Sequence, residues 1–184
     1  MPSILVVTGS VRPNSVNQKV VPLVVSELEK QGATIKIADL KEINLPFYDA
    51  PYSPTDAKFE PTNDPARAWT QMVTEADGVV FVTPEYNHTM SPIQMNAIDW
   101  IGKEWDGKYV ALVGYGWDSA ARQAHAAARE ALGPVLGAIV VSTQANLAFG
   151  LDLEPNGDIK NAERVSHRIE ATVSDLLTRI KNAQ

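Results

Sequence analysis

A chain of 184 residues, 45% hydrophobic and 21% charged, is long enough to bury about 70% of its unfolded surface in a single domain. Its net charge of −6 argues against binding a nucleic-acid backbone, and the lack of cysteine excludes a disulfide framework, a thiolate nucleophile and cysteine-held metal. No apolar run approaches the ~20 residues that span a membrane, and Arg12 and Asn14 follow the first apolar run too closely for a signal peptide, so a cytoplasmic location is expected.

Residues 3–9 predict a buried first strand. It leads into a polar loop, after which Val16, Val20, Val24 and Leu28 fall at helical spacing. That spacing predicts a helix from Ser15, its N-cap, to Lys30, kinked at Pro22 and closed by Gly32. A strand that turns straight into a helix start presents free N–H groups and the positive end of a helix dipole, which favour a phosphate. Ser10, Ser15 and Asn17 add hydrogen-bond donors, and Arg12 adds a permanent cation. Singly, each has an ordinary reading as cap or turn; together they favour a phosphate site. Gly9 stands alone and no Gly-Lys pair occurs in this loop, so neither common nucleotide-binding glycine signature is present.

Residues 33–38 alternate and predict strand two. Residues 41–63 hold four prolines among Phe47, Tyr48, Tyr52 and Phe59 and predict one long loop, an active-site wall or subunit contact. Asp64-Pro65 reads as an N-cap and first helical residue. Residues 78–83 form a continuous apolar run, as in a parallel strand buried on both faces. A polar loop, 84–90, and a helix from Ser91-Pro92 follow. Strand four is expected at 109–113, then a Gly-Tyr-Gly-Trp loop, then an alanine-rich helix from Ser119 to Leu132. Strand five is expected at 138–142, a loop at 144–157, and a last helix beyond it.

Strands and helices alternate, so right-handed crossovers place helices on both faces of one parallel sheet. The order 2-1-3-4-5 brings the C-terminal ends of strands one, three and four to one rim. The three distinctive loops then line one crevice. That setting suits a flat heteroaromatic ring on a phosphorylated tail, a description that flavin mononucleotide (FMN) fits. The three histidines lack metal-ligand spacing; His88 reads as a loop surface residue, and His125 and His167 as exposed helix residues. Trp69 and Trp100 read as core or interface.

Gly9-Ser-Val-Arg12-x-x-Ser15-x-Asn17, Leu45-Pro-Phe-Tyr-Asp-Ala-Pro51, Thr83-Pro-Glu-Tyr-Asn-His88 and Asn96-Ala-Ile-Asp-Trp100 resemble the NAD(P)H-dependent FMN reductases of the flavodoxin-like superfamily, which include quinone, azo-dye and chromate reductases. The resemblance covers about residues 3–180. It implies an α/β, flavodoxin-like three-layer sandwich and a single FMN-binding domain over 1–184. It further implies that Ser10, Arg12, Ser15 and Asn17 hold the FMN phosphate. Pro84, Glu85, Tyr86 and Asn87 would lie along the ribityl chain and ring edge, and Tyr115 and Gly116 at the ring's other side. The implied activity is hydride transfer from NADPH or NADH to FMN, and on to a small acceptor such as a quinone, azo compound, free flavin or metal oxyanion. A flavodoxin-type electron carrier is the rival; Arg12 and the modest charge speak against it. The chain departs from the family pattern at Met95, where Lys is usual, and at Ser119-Ala120-Ala121, where Gly-Gly is usual before Arg122. Small residues on several faces of the 119–132 helix predict a homodimer or homotetramer, with Tyr48 or Tyr52 reaching a partner's crevice.

Overall fold

The computed structural model describes residues 1–183. Strands β1 (Ser3–Thr8), β2 (Thr34–Ala38), β3 (Gly78–Pro84), β4 (Tyr109–Gly116) and β5 (Ile139–Ala148) form a parallel sheet in the predicted order, β2-β1-β3-β4-β5. Helices α1 (Asn17–Lys30) and α6 (Ala162–Ala183) cover one face. The one-turn α2 (Leu40–Ile43) lies on the other face with α3 (Asp64–Glu75), α4 (Pro92–Asp99) and α5 (Arg122–Leu132). Successive strand residues point to opposite faces. Ile4, Val6, Val80, Val82, Ala111, Val113 and Tyr115 therefore join the core under α1 and α6. Leu5, Val7, Val79, Phe81, Val110 and Leu112 join the core under α3 and α4. Burial on both faces is why β1 and β3 read as unbroken apolar runs. It also aims Tyr115 at the start of α1.

Several boundaries differ from expectation. β4 runs to Gly116 and β5 to Ala148, so residues 114–116 and 144–148 are strand rather than loop. The β4–β5 ladder shifts register between Val110 and Leu112, then resumes from Leu112↔Gln144 to Gly116↔Ala148. α5 begins at Arg122, not Ser119, because Ala120 and Ala121 have φ of 51° and 68°, outside right-handed helix. Val16, not Ser15, is the N-cap of α1; the Ser15 hydroxyl instead accepts from Asn17 N–H at 3.2 Å. α1 runs on through Pro22, and Gly32 (φ +81°) follows its end as predicted. Asn63, not Asp64, caps α3, accepting from Ala66 N–H at 2.9 Å. The expected loop 41–63 opens with α2, which the Asp39 carboxylate caps through Lys41 N–H at 2.9 Å. Among the described residues no helix is long and apolar enough to cross a membrane.

Candidate functional site

The C-terminal ends of β1, β3 and β4 converge as predicted, and their loops enclose a cavity of about 350 Å³. Its walls include Arg12, Ser15, Glu85, Tyr86, Tyr115 and Trp117. Gly9 makes the convergence possible. A Cβ there would lie 2.4 Å from the Val82 carbonyl oxygen and 2.6 Å from Pro84 Cδ, so only glycine lets the end of β1 press against β3.

The loop between β1 and α1 is held from beneath. Asn17 is buried; its Oδ1 accepts from Gly9 N–H at 2.6 Å, and its Nδ2 donates to the Tyr115 hydroxyl at 2.8 Å. Tyr115 also lies 3.5 Å from Ser15 Oγ, and burial holds its phenol above the ordinary value. The Ser10 hydroxyl meets the Tyr86 hydroxyl at 2.9 Å and accepts from Arg12 N–H at 3.3 Å. Above this base the loop is open. Among the described residues, the N–H groups of Ser10, Val11, Asn14, Ser15 and Val16 donate to no protein group, and the exposed Arg12 guanidinium has neither ion pair nor hydrogen bond. The first turn of α1 carries no acidic residue. Open N–H groups, a free cation and a positive helix end form an anion cradle.

Glu85 has a different task. Its side chain is 7% exposed, and its Oε2 accepts from Ser119 Oγ, from Gln123 N–H at 3.1 Å and from Ala124 N–H at 3.2 Å. Those amides belong to the first turn of α5. That helix has no side-chain cap and no acid of its own in that turn. A carboxylate from the β3 loop thus caps α5 from 38 residues away. Asn87 is explained locally. Asn87 and His88 both have positive φ, 49° and 61°, between Tyr86 and Thr89, which exchange backbone hydrogen bonds at 3.1 and 3.0 Å. This is the two-residue hairpin turn in which asparagine is favoured. His88 is exposed, as expected, with Nδ1 3.8 Å from Glu85 Oε1.

The structure brings Ser10, Arg12, Ser15, Pro84, Glu85, Tyr86, Tyr115 and Gly116 around the crevice and its rim. Asn17 sits beneath it, and Asn87 projects from the hairpin. Trp117 lines the crevice as its loop was expected to, but the sequence reading missed its partner in the outer wall: Trp117, 60% exposed, packs on Phe149 with ring centroids 4.8 Å apart. Phe149 follows an unexpectedly long β5, so no local pattern marked it.

His125 corrects the sequence reading: it is fully buried, not exposed. It packs beneath Gly114, where a Cβ would lie 2.4 Å from its Nε2. The Gln144 amide lies between His125 Nδ1, at 3.2 Å, and Arg129, at 2.5 and 2.7 Å. Arginine can only donate, so the amide oxygen faces Arg129 and its nitrogen faces Nδ1, leaving the ring proton on Nε2. Burial lowers the His125 pKa from 6.5 to about 4. Arg129 acts in the same direction, while Gln144, Asn146 and Glu85 oppose it. His167 is exposed, and Trp69 and Trp100 are fully buried core. Within its own chain the Tyr48 ring packs edge-on against Trp100, centroids 5.1 Å apart, and its hydroxyl donates to the Tyr52 carbonyl.

Comparison with known proteins shows the family and the fold. The sequence profile of the NADPH-dependent FMN reductases matches residues 2–152. An NAD(P)H-dependent FMN reductase of Nectria sp is 32% identical over 81% of this chain and 76% of its own length. A 2-hydroxy-1,4-benzoquinone reductase of Burkholderia sp is 34% identical over 60% of this chain, but the match spans only 58% of that protein. The fold is shared with FerB, a flavoenzyme NAD(P)H:(acceptor) oxidoreductase from Paracoccus denitrificans. The TM-score is 0.76 at 21% identity, over 97% of this chain and 98% of that one.

Proposed function

The chain belongs to the NADPH-dependent FMN reductase family and is an FMN-dependent NAD(P)H oxidoreductase; from that premise we propose that its crevice holds FMN by the phosphate and serves the reduction of quinones. The observation that carries this is the open loop: five N–H groups without protein acceptors share it with an unpaired Arg12 at a helix start. That donor set suits a phosphate monoester. Arg12 and the Ser15 hydroxyl would bind it, while the Ser10 hydroxyl, engaged with Tyr86 and Arg12 N–H, would shape the loop. Asn17 would position rather than bind, because its amide is engaged with Gly9 and Tyr115.

When bound, FMN supplies hydride acceptance from NAD(P)H and onward delivery of two electrons. The chain's own residues need no nucleophile. Their work is to fix the phosphate, to hold the three loops in register through Glu85, Asn17 and Tyr115, and to offer a wall at Trp117 and Phe149. The net reaction is NAD(P)H + H⁺ + quinone → NAD(P)⁺ + hydroquinone. The quinone class is supported by the Burkholderia relative's name; azo compounds, free flavin and metal oxyanions are further acceptors to assay. The reading also includes a cytoplasmic homodimer or homotetramer, to be checked by light scattering at low micromolar concentration. The catalytic test is the visible spectrum of the FMN-loaded protein under anaerobic conditions. NADPH or NADH should bleach it and a quinone restore it, with ping-pong kinetics. No bleaching by either nucleotide would favour a flavodoxin-type carrier.

A further inference from the structure

We infer that the apolar slot between the β1–α1 loop and α4 is the acceptor's berth, and that it takes the ring of a neutral quinone against Phe47; this rests on the reading above. The slot encloses about 360 Å³ between Val11, Leu45, Phe47, Pro92 and Ile93, a size suited to a small ligand. Arg12 and Tyr86 line both the slot and the FMN crevice, so the two cavities share a wall.

Phe47 is 83% exposed, and the backbone on either side of it is fixed. The Pro46 carbonyl accepts from Asn96 Nδ2 at 2.9 Å and Trp100 Nε1 at 2.8 Å, and Tyr48 N–H donates to Asn96 Oδ1 at 2.9 Å. Residues 46 and 48 are pinned to α4, and the ring between them is exposed. Val11 faces the same slot and is 46% exposed. An aromatic ring exposed to water beside an apolar slot is a surface built for an apolar guest.

The polar groups narrow the guest further. Asn96 is engaged by Pro46 and Tyr48, and Ser91 Oγ donates to Gln94 Oε1 at 3.3 Å. What remains is the unpaired Arg12 guanidinium and the Ser10–Tyr86 hydroxyl pair. Two hydroxyls carry two protons, and their mutual hydrogen bond uses one, so one O–H on the slot's wall is left to donate. Donors without an acceptor of their own match a ring carbonyl. Apart from Arg12 the walls carry no charge, so the diphosphate of NAD(P)H finds no second partner there.

The test is equilibrium dialysis of 1,4-naphthoquinone against the oxidised, FMN-loaded protein without NAD(P)H. Phe47→Ala should raise the dissociation constant about 10-fold, Phe47→Tyr should restore most of the affinity, and FMN affinity should not change in either. Naphthoquinone binding to Phe47→Ala as tight as wild type would overturn the slot. So would a Phe47→Ala effect on subunit dissociation alone, which would make this face a contact between copies of the chain. Dialysis needs no turnover, so it reads the slot even if NADPH fails to bleach the flavin, the separate result that would overturn the flavin reading.

Discussion

Two connections on the same rim, residues 9–17 after β1 and 117–121 after β4, both lead a strand into a helix N-terminus. Each could attract an anion, and neither helix has an acid in its own first turn. They differ in what fills them. At α5 the Glu85 carboxylate takes the Gln123 and Ala124 N–H groups, and the turn is closed by the protein itself. At α1 the donors stay open and Asn17, Tyr115 and Ser10 merely hold the loop in shape. A helix start becomes a ligand site when no side chain of the same protein occupies it. The acidic residue beside the crevice therefore serves the scaffold, and the cation is left free for the ligand proposed above.

The comparison can be broken or sharpened by four measurements of decreasing effect. The dry underside of the second region gives the largest. The unfolded chain binds a proton on His125 at its ordinary value of 6.5, and the folded chain refuses it until about pH 4. Stability therefore rises with pH across that window, and on the order of 3 kcal/mol is lost as pH falls from 6.5 to 4. NMR titration of the His125 ring checks this; a midpoint near 6.5 would contradict it. Next is Arg12→Ala. It removes a charge-assisted hydrogen bond worth roughly 1.5–3 kcal/mol and should weaken FMN binding about 10- to 100-fold, with riboflavin binding little changed. Fluorescence titration reads both.

Third, Glu85→Ala should cost about 2 kcal/mol by leaving the start of α5 uncapped, lowering Tm by roughly 4–8 °C. Glu85→Gln, which keeps an acceptor, should lose less. An unchanged Tm in calorimetry would mean that Glu85 is not a cap. The smallest effect is at Ala120. A left-handed alanine costs about 1–2 kcal/mol, so Ala120→Gly should raise Tm by roughly 2–4 °C. A fall in Tm would show the turn to be relaxed.

The open region was legible in sequence and the closed one was not. The apolar run of β1, the polar cluster after it and the 3.6-residue spacing of α1 are local signals, and so is the continuous run of β3. The boundaries after β4 depend on distant partners. Ser119-Ala120-Ala121 reads as helix because alanine favours it, yet Glu85 fixes where α5 begins. Gly114 to Gly116 and Gln144 to Asn146 look like loop residues; they are strand because Ala145 and Leu147 turn into the core while Gln144 faces His125 and Arg129. His125 did leave a trace, since it lies on the stripe with Ala124, Ala128 and Leu132, all buried. Reading its polarity instead of its position produced the wrong expectation.

The central claim is that the first loop, and not the second, is the ligand's anion site. The most direct test is the ratio of riboflavin to FMN dissociation constants in wild type, Arg12→Ala and Glu85→Gln. The wild-type ratio should be on the order of 100 or more, collapse by about 10- to 100-fold in Arg12→Ala, and stay unchanged in Glu85→Gln. A wild-type ratio near one, or a collapse confined to Glu85→Gln, would contradict the account.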